Sequence, residues 1–212
     1  MSKIILDFGS GNTCKNDWDY TKRMIDELKA VDTGKHEVII KWQLFKEAGD
    51  NIPLHKSIFD LAYSYAMQLG YKTTSSVFDK ESLDFLLQFD VPFIKIANNR
   101  KLDWLIGEIP RKFPIYISLG NDPDEPFNEK DIESLLCVSE YPATIEMYRK
   151  KFRSIDHLVK FEGYGISDHT TNFGLWYRYE PRIIEWHYGL EDSTGLDAGL
   201  FMRTPVMLAE VL

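Results

Sequence analysis

With 212 residues, 44% of them hydrophobic and 27% charged, the chain can bury one sizeable core, and a single domain over residues 1–212 is expected. A net charge of −8 excludes the basic surface that non-specific nucleic-acid binding needs, though lysines gathered in a cleft can still receive a small anion. No apolar run approaches the roughly 20 residues of a membrane span, Asp7 interrupts the N-terminal apolar run, and Cys14 and Cys137 make no disulfide framework; a soluble, cytoplasmic protein is expected.

Strand-like and helix-like segments alternate from the start. The run IILDF at 4–8 is short and β-branched and meets the loop signal of Gly9 to Asn12. Residues 17–31 carry helical spacing, with Met24, Leu28 and Val31 on one face. EVIIKW at 37–42 is the second strand, 54–69 an amphipathic helix, 71–75 the third strand and 80–89 a helix. PFIKIA at 92–97 is strand four, followed by a short helix at 102–109, and PIYISL at 114–119 is strand five. The stretch 121–126 combines turn residues with acidity and reads as a solvated loop. A brief helix is expected at 128–134, strand six at 135–139, a helix at 143–152 and strand seven at 158–166. A short helix at 170–179, strand eight at 182–187 and a last helix at 204–211 complete the order. Such alternation means parallel pairing with crossover helices. Eight units close a (β/α)₈ TIM barrel, compact and with shortened loops at this length, although an open doubly wound sheet gives the same linear pattern.

Barrel active sites lie at the carboxyl ends of the strands, and those ends are polar here. They present Asp7, Lys41 with Gln43, Ser75 and Ser76, Lys95 with Asn98, Ser118, Ser139 with Tyr141, Asp168 with His169, and Glu185 with His187. A lysine inside an apolar run is either paired with a carboxylate or serves an anion. For Lys41 or Lys95 alone the two readings are evenly balanced; two at equivalent strand ends favour anion binding, with serine hydroxyls as neutral donors. His169 and His187 end strands that are neighbours in a closed barrel, and imidazole with carboxylate suits a divalent metal. A helix-capping turn at 167–170 is the competing reading of the first of them.

Seven segments appear in a telling order: KWQLF at 41–45, TSSVFD at 74–79, FDVPFIKIA at 89–97, ISLGN at 117–121, LLCVSEYPA at 135–143, GYGISDHTTNFG at 163–174 and IIEWHYGLE at 183–191. In these the chain resembles the barrel domain of the sialic acid synthase family, which includes the legionaminate and pseudaminate synthases. The resemblance implies a closed barrel. It also implies a transferase that condenses phosphoenolpyruvate with the aldehyde form of an N-acylated amino sugar and releases phosphate. It places a divalent metal, usually Mn²⁺ with Mg²⁺ or another divalent ion as substitutes, on His169 and His187. Phosphoenolpyruvate falls to Lys41, Gln43, Ser76, Lys95 and Ser118, with Asn98 where the family has serine. Glu185, Asp168 and Asp197 become the candidate proton-handling carboxylates, and Tyr141 and Asp197 the sugar contacts.

The departures bear on the substrate. Asp7 replaces the family's first-strand glutamate, Arg100 a glutamate, Leu136 a histidine and Trp186 a lysine, and residues 195–198 read GLDA. The family's C-terminal antifreeze-like domain, which in a dimer lends an arginine to the partner's sugar site, has no counterpart in these 212 residues. The expectation is therefore a synthase with an altered or smaller acceptor. The alternatives are a barrel that binds metal or anion without turnover, or half of a split enzyme. Expected partners are phosphoenolpyruvate, an aldehyde sugar, and either a second copy in a homodimer or a separate cap-domain chain.

Overall fold

The computed structural model describes all residues except 48, 121–131, 153 and 161. Eight parallel strands close a barrel in chain order: β1 (Lys3–Asp7), β2 (Glu37–Leu44), β3 (Lys72–Val77), β4 (Ile94–Ile96), β5 (Ile115–Leu119), β6 (Ile132–Cys137), β7 (Gly165–Asp168) and β8 (Ile183–His187). Around them lie α1 (Gly11–Cys14), α2 (Trp18–Val31), α3 (Lys56–Gln68), α4 (Lys80–Leu86), a 3₁₀ helix (Arg100–Glu108), α5 (Ile145–Lys151), α6 (Ile155–Lys160), α7 (Gly174–Tyr179) and α8 (Pro205–Leu208). The barrel is thus realised and the open sheet is not.

Local chemistry explains most boundaries. Asp17, Asp79 and Thr144 cap α2, α4 and α5 by accepting a backbone N–H of the first turn. Two expectations fail. Residues 158–166 do not form strand seven, because Ile155, Leu158 and Val159 bury one face of α6 at helical spacing, and β7 begins only after Gly163, whose φ of +77° turns the chain. The brief helix expected at 128–134 is also overturned where it can be compared: residues from Ile132 belong to β6, with Ile132 opposite Ile115. The rest of that segment and the loop at 121–126 lie outside the described residues.

Alternation along the strands sorts the side chains into two cores. Ile4, Leu6, Ile40, Trp42, Ile94, Ile166 and Trp186 point outward into the helical layer. Ile5, Ile39, Phe93, Tyr116, Leu135 and Ile183 point inward and fill the barrel, with the Phe93 and Tyr116 rings stacked at 3.8 Å. The register then sets the polar strand ends side by side: Asp7 lies between Lys41 and His187, Ser76 beside Lys95, and Ser167 between Cys137 and Glu185.

Candidate active site

A cavity of about 440 Å³ opens at the carboxyl ends of the strands. It is lined by Asp7, Lys41, Gln43, Ser76, Lys95, Asn98, Ser118, Cys137, Tyr141, Ser167, His169, Glu185, His187 and Asp197, among others. Every site residue expected from the sequence is therefore brought to one place, save Asp168 and Ser75, whose hydroxyl donates to the Trp42 and Ser76 carbonyls.

The two lysines differ. Lys41 Nζ sits 2.7 Å from Asp7 Oδ2, donates to Ser76 Oγ at 3.0 Å and lies 3.8 Å from Glu185 Oε1. Burial opposes its charge, but Asp7 and Glu185 outweigh burial and raise its pKa, while Lys41 and His187 overcome burial to lower that of Asp7. Lys95 donates to Ser118 Oγ at 2.6 Å and to its own strand's Ile96 carbonyl at 3.0 Å. Its carboxylate neighbour Glu185 stands 3.9 Å away. Burial presses its pKa below the ordinary lysine value despite Glu185. Lys41 thus satisfies the carboxylate-pair reading, and Lys95 keeps capacity for an anion.

The imidazoles also take different states. His169 Nδ1 is 2.6 Å from the Val138 carbonyl, so it carries the proton and leaves Nε2 as a lone pair. Burial, joined by the nearby His187, brings its pKa down to about 3 and keeps the ring neutral. His187 Nδ1 lies 3.2 Å from Asp197 Oδ1 and 3.9 Å from Asp7 Oδ2, close but not aligned for a hydrogen bond. Burial opposes its charge, yet Asp197 and Asp7 raise its pKa. The ring centroids of the two histidines are 5.3 Å apart, and Tyr141 stacks on His169 at 4.2 Å.

His187 with Asp7 and Asp197 fits a divalent cation, a group that does not include His169. Ligand atoms of Asp7, His187 and Asp197 lie within 4.8 Å of one another. His187 Nδ1, Asp197 Oδ2 and Glu185 Oε2 are buried without hydrogen-bond partners among the described residues, a state polar groups rarely tolerate without a ligand. Gln43 Nε2 spans the acidic pair, donating to Asp7 Oδ2 and Asp197 Oδ1 at 2.9 Å each. Asp7 had no role in the sequence-derived site. The usable signal was the one that exposed Lys41, a charge at the end of an apolar strand.

Asp168 requires correction as a proton-handling residue. Strand parity turns Ser167 and His169 into the cavity and Asp168 away from it, where it accepts from Trp186 Nε1 at 2.9 Å and from the Thr170 N–H at 2.8 Å. It is fully buried and reaches no cavity atom. Asn98 lines the cavity and donates to Ser139 Oγ, also in its lining, at 2.8 Å. A Cβ on Gly120 would collide with this side chain, so glycine there makes room for the larger residue.

Among the described residues no helix is long and apolar enough to cross a membrane. The model of the NeuB family matches residues 27–199. Pseudaminic acid synthase from two strains of Campylobacter jejuni subsp. jejuni is 30% identical over 190 residues, covering 77% of this chain and 53% of the relative. The chain thus spans about half the length of the curated relatives it matches. Among solved structures, an N-acetylneuraminic acid (sialic acid) synthetase from Leptospira borgpetersenii serovar Hardjo-bovis, in complex with citrate, is similar with a TM-score of 0.73 at 21% identity, covering 98% of this chain and 80% of that one. A spore coat polysaccharide biosynthesis protein from Bacillus subtilis aligns with a TM-score of 0.73 at 18% identity, over 99% of this chain and 65% of that one. At such identities these two bear on the fold alone.

Proposed function

The chain belongs to the NeuB family, and from that membership we propose that it is a metal-dependent synthase condensing phosphoenolpyruvate with an aldehyde sugar and releasing phosphate. One observation carries the reading furthest. Lys95, a buried ammonium whose nearest carboxylate stands 3.9 Å away, shares its cavity with both histidines.

The roles follow from charge and reach. Lys41 and Lys95, with the Ser76 and Ser118 hydroxyls and the Gln43 amide, hold the carboxylate and phosphate of phosphoenolpyruvate. A divalent cation on His169 and His187, with Asp7 and Asp197 beside them, would supply Lewis-acid polarisation of the acceptor's carbonyl oxygen, and Mn²⁺ suits such a mixed donor set, with Mg²⁺ a substitute. The new carbon–carbon bond joins the enol carbon to the carbonyl carbon. Water adds at the neighbouring carbon, and phosphate leaves by carbon–oxygen cleavage. Glu185, between the two ammoniums and with Oε2 free of hydrogen bonds among the described residues, takes the proton of that water. Tyr141 and Asp197, both in the cavity lining, are the acceptor's contacts. The Asn98–Ser139 bond narrows one wall, which favours a smaller acceptor than an N-acylated amino sugar. Two free cysteines suit the reducing cytoplasm as its compartment.

The mouth supports a second reading. Tyr141 and Leu196 line it while remaining 53% and 68% exposed, an apolar rim that a second copy or a separate cap-domain chain would cover. In that case the barrel binds metal and anion but turns over only with its partner.

The test is release of inorganic phosphate from phosphoenolpyruvate by purified protein with Mn²⁺ and a panel of aldehyde sugars. Acceptor-dependent release that falls at least about a hundredfold in both Lys95→Ala and His169→Ala is expected. Release that ignores the acceptor, or survives Lys95→Ala, sinks the synthase reading; release only on adding a second chain selects the split enzyme.

A further inference from the structure

Behind the two histidines, outside the cavity, lies one wholly buried guanidinium. The Arg203 side chain has no solvent exposure. Its Nη1 donates to the Thr170 carbonyl at 2.8 Å and the Phe201 carbonyl at 2.9 Å, and its Nη2 donates to the Asn172 carbonyl at 2.8 Å and Asp168 Oδ2 at 3.4 Å. Its backbone N–H donates to the His187 carbonyl at 2.8 Å. The main chain of Arg203 therefore grips His187 itself, while its side chain bonds the residues on either side of His169. Phe201, whose carbonyl takes one of these bonds, sets its ring 5.0 Å from His187 and 6.5 Å from His169. Arg203 also lies beyond the stretch 27–199 that the family model matches.

A stabilising role alone does not account for this arrangement. Buried ion pairs are often replaceable by apolar residues without loss of stability. This one is long, at 3.4 Å, and leaves Arg203 Nε without a partner among the described residues. What a guanidinium supplies that an apolar residue cannot is direction, because its planar fork holds several acceptors at set angles. Here three of those acceptors belong to the segment that carries His169, and the fourth, the Phe201 carbonyl, to the segment whose main chain bonds His187.

We infer that Arg203 is a positioning residue that sets the spacing of the His169 and His187 imidazoles, and so the affinity of the cavity for a divalent cation. The inference rests on the metal reading given above. Its test is Mn²⁺ binding by the purified full chain, followed by electron paramagnetic resonance, with urea unfolding measured alongside. Arg203→Met together with Asp168→Asn removes the guanidinium without leaving a buried carboxylate unpaired. It is expected to bind Mn²⁺ about 10–100-fold more weakly, with an altered spectrum of the bound ion. Arg203→Lys keeps the charge but loses the fork, and falls between. Variants that unfold at lower urea yet bind Mn²⁺ with unchanged affinity and spectrum overturn the positioning role and leave the metal reading standing. A parent protein that binds no Mn²⁺ overturns both.

Discussion

Two layers inside the barrel share the same strands and have opposite chemistry. The lower layer is Ile5, Ile39, Phe93, Tyr116, Leu135 and Ile183. Two positions further along each strand stand Asp7, Lys41, Lys95, Ser118, Cys137 and Glu185, all lining the cavity. The side-chain period of a strand puts both sets on one face, so only distance along the barrel separates them. The lower set excludes water and stabilises the fold by burial. The upper set takes charges out of water, which burial alone does not repay. The floor is therefore held by packing, and the upper layer is held despite the cost of its buried charges. The floor also makes the upper layer effective, because charges above a dry apolar plug act at low dielectric.

Removing packing should hurt most. Phe93→Ala takes a fully buried ring from the floor, where it stacks on Tyr116, and is expected to cost about 3–5 kcal/mol in urea unfolding. A loss below about 1 kcal/mol would break the distinction between the layers. The upper layer is probed by a pair of variants. Asp7→Ala leaves Lys41 without its 2.7 Å partner and should cost a similar amount, about 3–5 kcal/mol. Asp7→Leu combined with Lys41→Met should instead be neutral or stabilising by up to about 4 kcal/mol, while the phosphate release proposed above is lost. A double variant less stable than Asp7→Ala would refute the claim that the upper layer is held against stability. The smallest effect lies outside the barrel. Asp26 on α2 accepts from Lys22 and from the Tyr65 hydroxyl, and these bonds hold its pKa below the ordinary 3.8. A carboxylate so depressed stabilises the fold above its unfolded pKa and loses that contribution as pH falls through the folded one. The stability gap between wild type and Asp26→Asn should therefore close on acidification below about pH 3.8, and narrow in high salt. A gap independent of pH would show that the carboxylate charge contributes nothing.

Much of the fold was legible because the strands are short apolar runs spaced by helical ones. Strand seven was one exception. Apolar runs of four to eight residues look alike in a helix and a buried strand, and the core-facing pattern of Ile155, Leu158 and Val159 decided for α6. The site was legible wherever a charge interrupts an apolar run, as at Lys41, Lys95 and Glu185. Asp168 passed the same test and belongs to the opposite face. A shift of one residue on a strand exchanges interior for exterior, and only the parity set by Ser167 and His169 reveals which side it takes.

By itself, then, the sequence determined the order of eight strands and of most helices between them, the polar character of the strands' carboxyl ends, and the identities of the lysines and histidines gathered there. Periodicity and the energetic penalty of a buried charge are local properties that a linear chain displays. Tertiary structure alone decided that Lys41 is paired by Asp7 at 2.7 Å while Lys95 has its carboxylate, Glu185, at 3.9 Å, that Asp197 completes a donor group with Asp7 and His187, and that Arg203 ties the two histidine segments together. Each of these joins residues up to 190 positions apart in the chain, and their meeting depends on closure of the barrel and on strand register, which no local pattern encodes.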